Sequence, residues 1–136
     1  MTTNPITPKD VLQEMVSIAQ DNPDFVYTDQ GAPDEGFIHG CSYLGRAVGD
    51  PTGSACIVGR ALSNLGVSDE TLKYFEKTPA GGVIPAVTVS YGDDDDDFSI
   101  TNIIDQIQEH QDCGDSWGKA ISNYRDKIYS YGIVNI

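Results

Sequence analysis

The chain opens on a helical pattern of apolar positions. Thr7-Pro8-Lys9-Asp10 has the form of a helix start, with Thr7 as N-cap, Pro8 at the first helical position and Asp10 closing a capping box. Val11, Leu12, Met15, Val16, Ile18 and Ala19 then recur at helical spacing and give one broad apolar face, which Asp21-Asn22-Pro23 ends. Phe25-Val26-Tyr27 reads as a short strand, and residues 29–36 as a polar loop with Gly and Pro. Phe37 to Leu44 reads as a second strand, with Phe37, His39, Cys41 and Tyr43 on one face. Asp50-Pro51-Thr52-Gly53 is a turn. A helix capped at or beside Ser54 follows and runs to Leu65, burying Ile57, Val58, Ala61, Leu62 and Leu65, with Gly66 as its C-terminal cap. Ser68 caps a shorter helix, onto which Val67 can staple through Leu72.

Beyond Pro79-Ala80-Gly81-Gly82 the pattern changes. Val87, Val89 and Tyr91 alternate with Thr88 and Ser90, so residues 83–91 are predicted as a strand, with Pro85 confining its start to an edge or entry position. Asp93 to Asp97 must be solvated and is read as an exposed loop. Ile100, Ile103, Ile104 and Ile107 then start a helix capped by Ser99 or Thr101. Trp117, Ala120, Ile121, Tyr124 and Ile128 continue the helical spacing. Cys113-Gly114-Asp115 between them ends one helix and caps the next, or marks the kink of a single one. The tail from Tyr129 to Ile136 is apolar enough to add a strand or to form a homo-oligomer contact. The expectation is a single globular α+β domain over residues 1–136, with four or five helices on a small antiparallel sheet of three or four short strands.

Charge narrows the partners. The net charge is -13 at pH 7, a field that repels nucleic acid and anionic lipid and attracts basic partners. From Thr78 through Gly118 there is no Lys or Arg. No apolar run reaches the length of a membrane span, and Met1 to Pro5 has neither the basic nor the apolar region of a signal peptide. Three cysteines (Cys41, Cys56, Cys113) cannot all pair within one chain, and no CxxC is present, so reduced thiols in a cytoplasm are expected, with no metal and no cofactor.

Two segments are familiar in form. One is Cys41-Ser42-Tyr43, followed by Cys56-Ile57-Val58-Gly59-Arg60-Ala61-Leu62. The other places Gln108, Gln111, Asp112, Gly114, Trp117, Gly118 and Ala120 in a Gln-x-x-Gln-Asp-x-Gly-x-x-Trp-Gly-x-Ala pattern. In these the chain resembles small uncharacterised proteins encoded by phages of actinobacteria. It departs from them in its Gly/Pro-rich segment 79–86 and its pentaspartate. The resemblance implies a phage accessory protein made in the bacterial host cytoplasm and acting on the host; it implies no catalytic residues.

Three chemistries are open to these residues. Cys56 at a helix start, with His39 on a neighbouring strand, is the arrangement of a cysteine-dependent enzyme. Its flanks Ala55, Ile57 and Val58 instead suit a packed thiol. Ser54 and Cys56 at the same helix start, with Arg60 one turn on, form a candidate grip for a small anionic ligand, although no P-loop lysine follows. Asp93, Asp94, Asp95, Asp96 and Asp97, with Asp105, Glu109 and Asp112, form a candidate acidic face. The aspartate run fails as a calcium loop, because Phe98 stands where Gly is needed and Ile104 where Glu is needed. If the carboxylates share one surface they imitate the charge rows of a nucleic-acid backbone, for a basic surface such as that of a host nucleic-acid-binding protein. The leading reading is a non-catalytic binding protein.

Overall fold

The computed structural model describes residues 6–25, 57–75, 80–88 and 94–133. These residues form seven helices, with no strand or sheet among them. They are α1 (Pro8–Asp21), α2 (Ile57–Asn64), α3 (Asp69–Tyr74), α4 (Ala80–Val87), α5 (Asp94–Asp112), α6 (Trp117–Ser122) and α7 (Arg125–Ser130). The expected α+β architecture is therefore corrected to a helical one. The strand expected over residues 37–44 lies outside the described residues. Of the expected strand at 25–27 only Phe25 is described, and it is irregular chain packed on Trp117, ring centroids 4.5 Å apart.

The local signals at helix ends hold where they can be followed. Thr7 Oγ1 accepts from Asp10 N at 3.2 Å, and Thr7 N donates to Asp10 Oδ2 at 2.9 Å, completing the capping box. α2 ends in a Schellman motif: Val67 N donates to Leu62 O and Gly66 N to Ser63 O, with Gly66 at φ 100°. α5 ends the same way, through Asp115 N to His110 O and Gly114 N to Gln111 O, with Gly114 at φ 105°. The chain is thus broken at Gly114, and Ser116 rather than Asp115 caps α6 through Lys119 N. The stripe from Trp117 to Ile128 is divided in turn at Asn123 and Tyr124 into α6 and α7.

Three stretches depart from expectation. Residues 83–87 belong to helix α4, with Pro85 inside it. Val83 and Ile84 are buried and Val87 half-buried, an i, i+1, i+4 set that turns one helical stripe onto α5. The Pro85 ring lies on the exposed side, where its missing N–H leaves only the backbone of the first turn short of a bond. Asp105 of α5 supplies what the start of α4 needs, its Oδ1 accepting from Gly81 N at 2.9 Å. The second departure is the aspartate run. Asp94 to Asp97 form the first turn of α5 instead of a loop, so neither Ser99 nor Thr101 is its cap. Acidic residues in a first turn are favoured by the positive end of the helix dipole, which offsets part of their mutual repulsion. The tail also differs: Tyr129 and Ser130 complete α7, and Ile133 is buried in the core after a turn at Gly132 (φ 88°).

The core lies between α1 and α5. α1 packs on α2, α5 and α6, and α5 packs on α1, α2, α4 and α6. Leu12, Met15, Ile57, Leu62, Ile104, Ile107, Trp117 and Ile128 are fully buried there. Among the described residues, one polar side chain is buried as completely. Gln111 Oε1 accepts from Ile57 N, the first residue of α2, at 2.7 Å, and from Trp117 Nε1 at 3.0 Å. A second close approach joins the end of α1 to α6: Trp117 N donates to Phe25 O and Gly118 N to Pro23 O, both at 2.9 Å. A Cβ on Gly118 would stand 2.8 Å from Pro23 O, closer than real Cβ atoms come to backbone. Among the described residues, no helix is long and apolar enough to cross a membrane.

Two stability experiments follow from these contacts. Gln111→Leu leaves two buried donors without an acceptor, at about 1–3 kcal/mol each. Denaturant unfolding should therefore show a loss of about 2–6 kcal/mol, and combining it with Trp117→Phe should give a smaller total than the sum of the two single changes. Gly118→Ala should lose about 1–3 kcal/mol through overpacking against Pro23. Gly114→Ala, where nothing lies within 4 Å of the added Cβ, tests the left-handed backbone alone and should cost about 1 kcal/mol. Equal losses at the two glycines would count against the Pro23 contact.

Candidate functional site

Sequence reasoning named three groups of site residues, and the structure describes them unequally. His39, Ser54 and Cys56 lie outside the described residues, so the thiol–imidazole pair and most of the anion grip have no geometry here. Arg60 is half-buried on α2 and already engaged in an interaction. Asp93 also lies outside. Asp94, Asp95, Asp96 and Asp97 are placed by their backbone in the first turn of α5, and Asp112 in its last turn.

The remaining carboxylates do not continue that first turn as one charged row. Asp105 is half-buried and engaged with Gly81 at the start of α4. Glu109 is exposed. Between Asp97 and Glu109 the exposed side chains of α5 are Phe98, Asn102 and Gln106, all uncharged. At 1.5 Å per residue, Asp97 and Glu109 are about 18 Å apart along the axis. That is roughly twice the screening length near physiological salt. Phe98 follows the aspartates directly and is 71% exposed, unusual for an aromatic ring on a helix otherwise docked on a core.

At the other end of α5 three polar side chains meet that sequence reasoning did not bring together. His110 Nδ1 lies 3.1 Å from Asp115 Oδ2, and His110 Nε2 lies 3.0 Å from the Tyr124 hydroxyl. With Nδ1–H donating to the carboxylate, Nε2 is left to accept from the phenol in the neutral ring. The carboxylate–imidazole–hydroxyl order resembles a nucleophile-activating relay, but its electrostatics run the other way. Burial, and then the nearby Glu109 carboxylate, push the Tyr124 phenol above its ordinary 10.0. A phenol held in its neutral form is a poor nucleophile, so the cluster ties the end of α5 to the corner between α6 and α7. The open depression of about 440 Å³ beside it is lined by Ser122 to Lys127, the end of α6 and the start of α7. Among the described residues, no three His, Cys, Asp or Glu side chains gather as ligands for a metal ion.

A sequence signal for part of this was present. Gln108 and Gln111 continue the stripe of Ile104 and Ile107 at i+4 and i+7, which places two amides on a buried face where polar groups must find partners. His110, Asp115 and Tyr124 carry no such signal, because the break at Gly114 is what brings Asp115 back beside His110.

No family model, curated protein or solved structure matches this chain.

The titration of Tyr124 tests the cluster. Its folded-state pKa is raised, so the folded chain holds the proton more tightly than the unfolded chain. The corresponding stability is complete below about pH 10 and is lost as pH rises through the folded-state value. Ultraviolet titration of phenolate should show one tyrosine ionising late, and Tyr124→Phe should remove it. Glu109→Gln should bring the late step to lower pH by a smaller amount, since burial is the larger cause. A Tyr124 that ionises with the exposed tyrosines would overturn the assignment.

Proposed function

We propose that this protein is a non-catalytic binding protein, a phage accessory factor that works in the cytoplasm of its bacterial host by engaging a basic protein surface. The observation that carries the reading is the start of α5, where four consecutive aspartates occupy one helical turn beside an exposed Phe98. A helix fixes the backbone that carries these charges, which lowers the ordering cost of meeting a basic surface relative to a free loop. The absence of Lys and Arg from Thr78 through Gly118 keeps the field around α4 and α5 of one sign. The resemblance to phage proteins supplies the setting. Four consecutive aspartates at one helix end suit a local patch of Lys and Arg on a host nucleic-acid-binding protein. They suit an extended track of such charges less well.

The test is a charge removal that leaves the fold in place. Replacing Asp94, Asp95, Asp96 and Asp97 together by Asn should leave the melting temperature unchanged or slightly lower, since first-turn acids interact with the helix dipole by about 0.3–1 kcal/mol each while repelling one another. Capture of basic host proteins by the Asn variant should weaken mainly through a slower on-rate, and the wild-type on-rate should fall steeply as salt rises. A variant that binds as fast as wild type at low salt would show that the aspartates serve solubility alone.

A further inference from the structure

The sequence of α4 opposes its own helix. Ala80–Val87 places two adjacent glycines, a proline and three β-branched residues in eight positions, and all of these are poor helix formers. Pro85 also deprives the Gly81 carbonyl of the N–H four residues on. A helix this short is marginal by itself even in a favourable sequence, and the alternation of Val87 and Val89 suits extended chain. What holds α4 at its start comes from outside it. Val83 and Ile84 are buried, α4 packs on α5, and Asp105 of α5 accepts from Gly81 N at 2.9 Å. At the other end Thr88 closes on Ile84 O, through its amide at 3.1 Å and its hydroxyl at 2.6 Å. The bonds of Gln111 Oε1, Trp117 N and Gly118 N join α1, α2, α5 and α6, and none of them passes through α4.

We propose that α4 opens as a unit of its own while α1, α2, α5 and α6 stay packed, and that the Asp105 carboxylate is the latch that keeps it closed. Opening breaks the bond from Gly81 to Asp105, unwinds the helix and brings Val83 and Ile84 to solvent with the part of α5 they cover. Units whose local preference conflicts with their native conformation, and whose native form depends on a few outside contacts, are the first to open. The motion is independent of the binding reading above, because it requires no partner.

Amide hydrogen exchange of the full chain, followed residue by residue by NMR under native conditions, reads the opening directly. Relative to their unfolded rates, Val87 and Thr88 should exchange at least about tenfold faster than Met15 in α1. Asp105→Ala should speed these two amides about tenfold further, because a charge-assisted bond is lost. Gly82→Ala, at an exposed helical position, should slow them about twofold to fivefold by favouring the helix. The deciding variant is Gly118→Ala, whose strain against Pro23 lies between α1 and α6 and persists while α4 is open. It should speed Met15 and leave Val87 and Thr88 unchanged. Exchange of Val87 and Thr88 that follows Met15 in Gly118→Ala puts α4 in one cooperative unit with the core and overturns the proposal. So does wild-type protection at Val87 and Thr88 equal to that at Met15. Rates at these amides that neither Asp105→Ala nor Gly82→Ala moves overturn it as well.

Discussion

One buried oxygen connects the helices that make the core. Gln111 Oε1 has two lone pairs, and two donors from different elements use them: the first N–H of α2 and the indole N–H of Trp117. Each of these donors would be expensive to bury alone, the first because a helix start has no internal acceptor for it and the second because the indole is fully enclosed. With the amide between them, α2 is positioned on α5 and α6 is drawn back against the end of α1. The Phe25 and Pro23 carbonyls then receive the first N–H groups of α6, so both helix starts are satisfied by groups from outside their own helices. The arrangement sets the relative positions of α1, α2, α5 and α6 at little polar cost.

The motif residues behind the resemblance to phage proteins are, in this structure, mostly residues of that arrangement. Ile57, Val58, Ala61 and Leu62 are buried on α2. Gln111 and Trp117 are the hydrogen-bonded pair, Gly114 turns the chain with a positive φ, Gly118 admits Pro23, and Ala120 is buried. Patterns of this kind specify a helical scaffold. The departures from the pattern, the Gly/Pro-rich segment and the aspartates, fall in α4 and at the start of α5.

Charge is distributed unevenly over that scaffold. The helices α4 and α5 carry no Lys or Arg, whereas Lys119, Arg125 and Lys127 belong to α6 and α7. The His110–Asp115–Tyr124 cluster lies at the junction of the two regions and contributes a local tie, its phenol pushed above the ordinary 10.0 by burial and then by Glu109.

What the sequence alone determined about this protein is what depends on neighbours within a few residues. The capping box at Thr7 and Asp10, the stops at Gly66 and Gly114, the cap at Ser68 and the apolar stripes of α1 and α2 are all written in local spacing, and the structure reproduces them. The choice between strand and helix at residues 83–87 was not local. Alternating Val, Thr and Val suit a strand in isolation, and the helix is selected by burial of Val83 and Ile84 on α5 and by a cap from Asp105, 24 residues away. The same holds for Gln111, whose acceptor role needs an N–H 54 residues earlier, and for Gly118, whose lack of a side chain matters only because Pro23 arrives there. No short-range period encodes such partners; hydrogen bonds and steric contacts between distant segments exist only after the helices have packed, so the tertiary structure decided them.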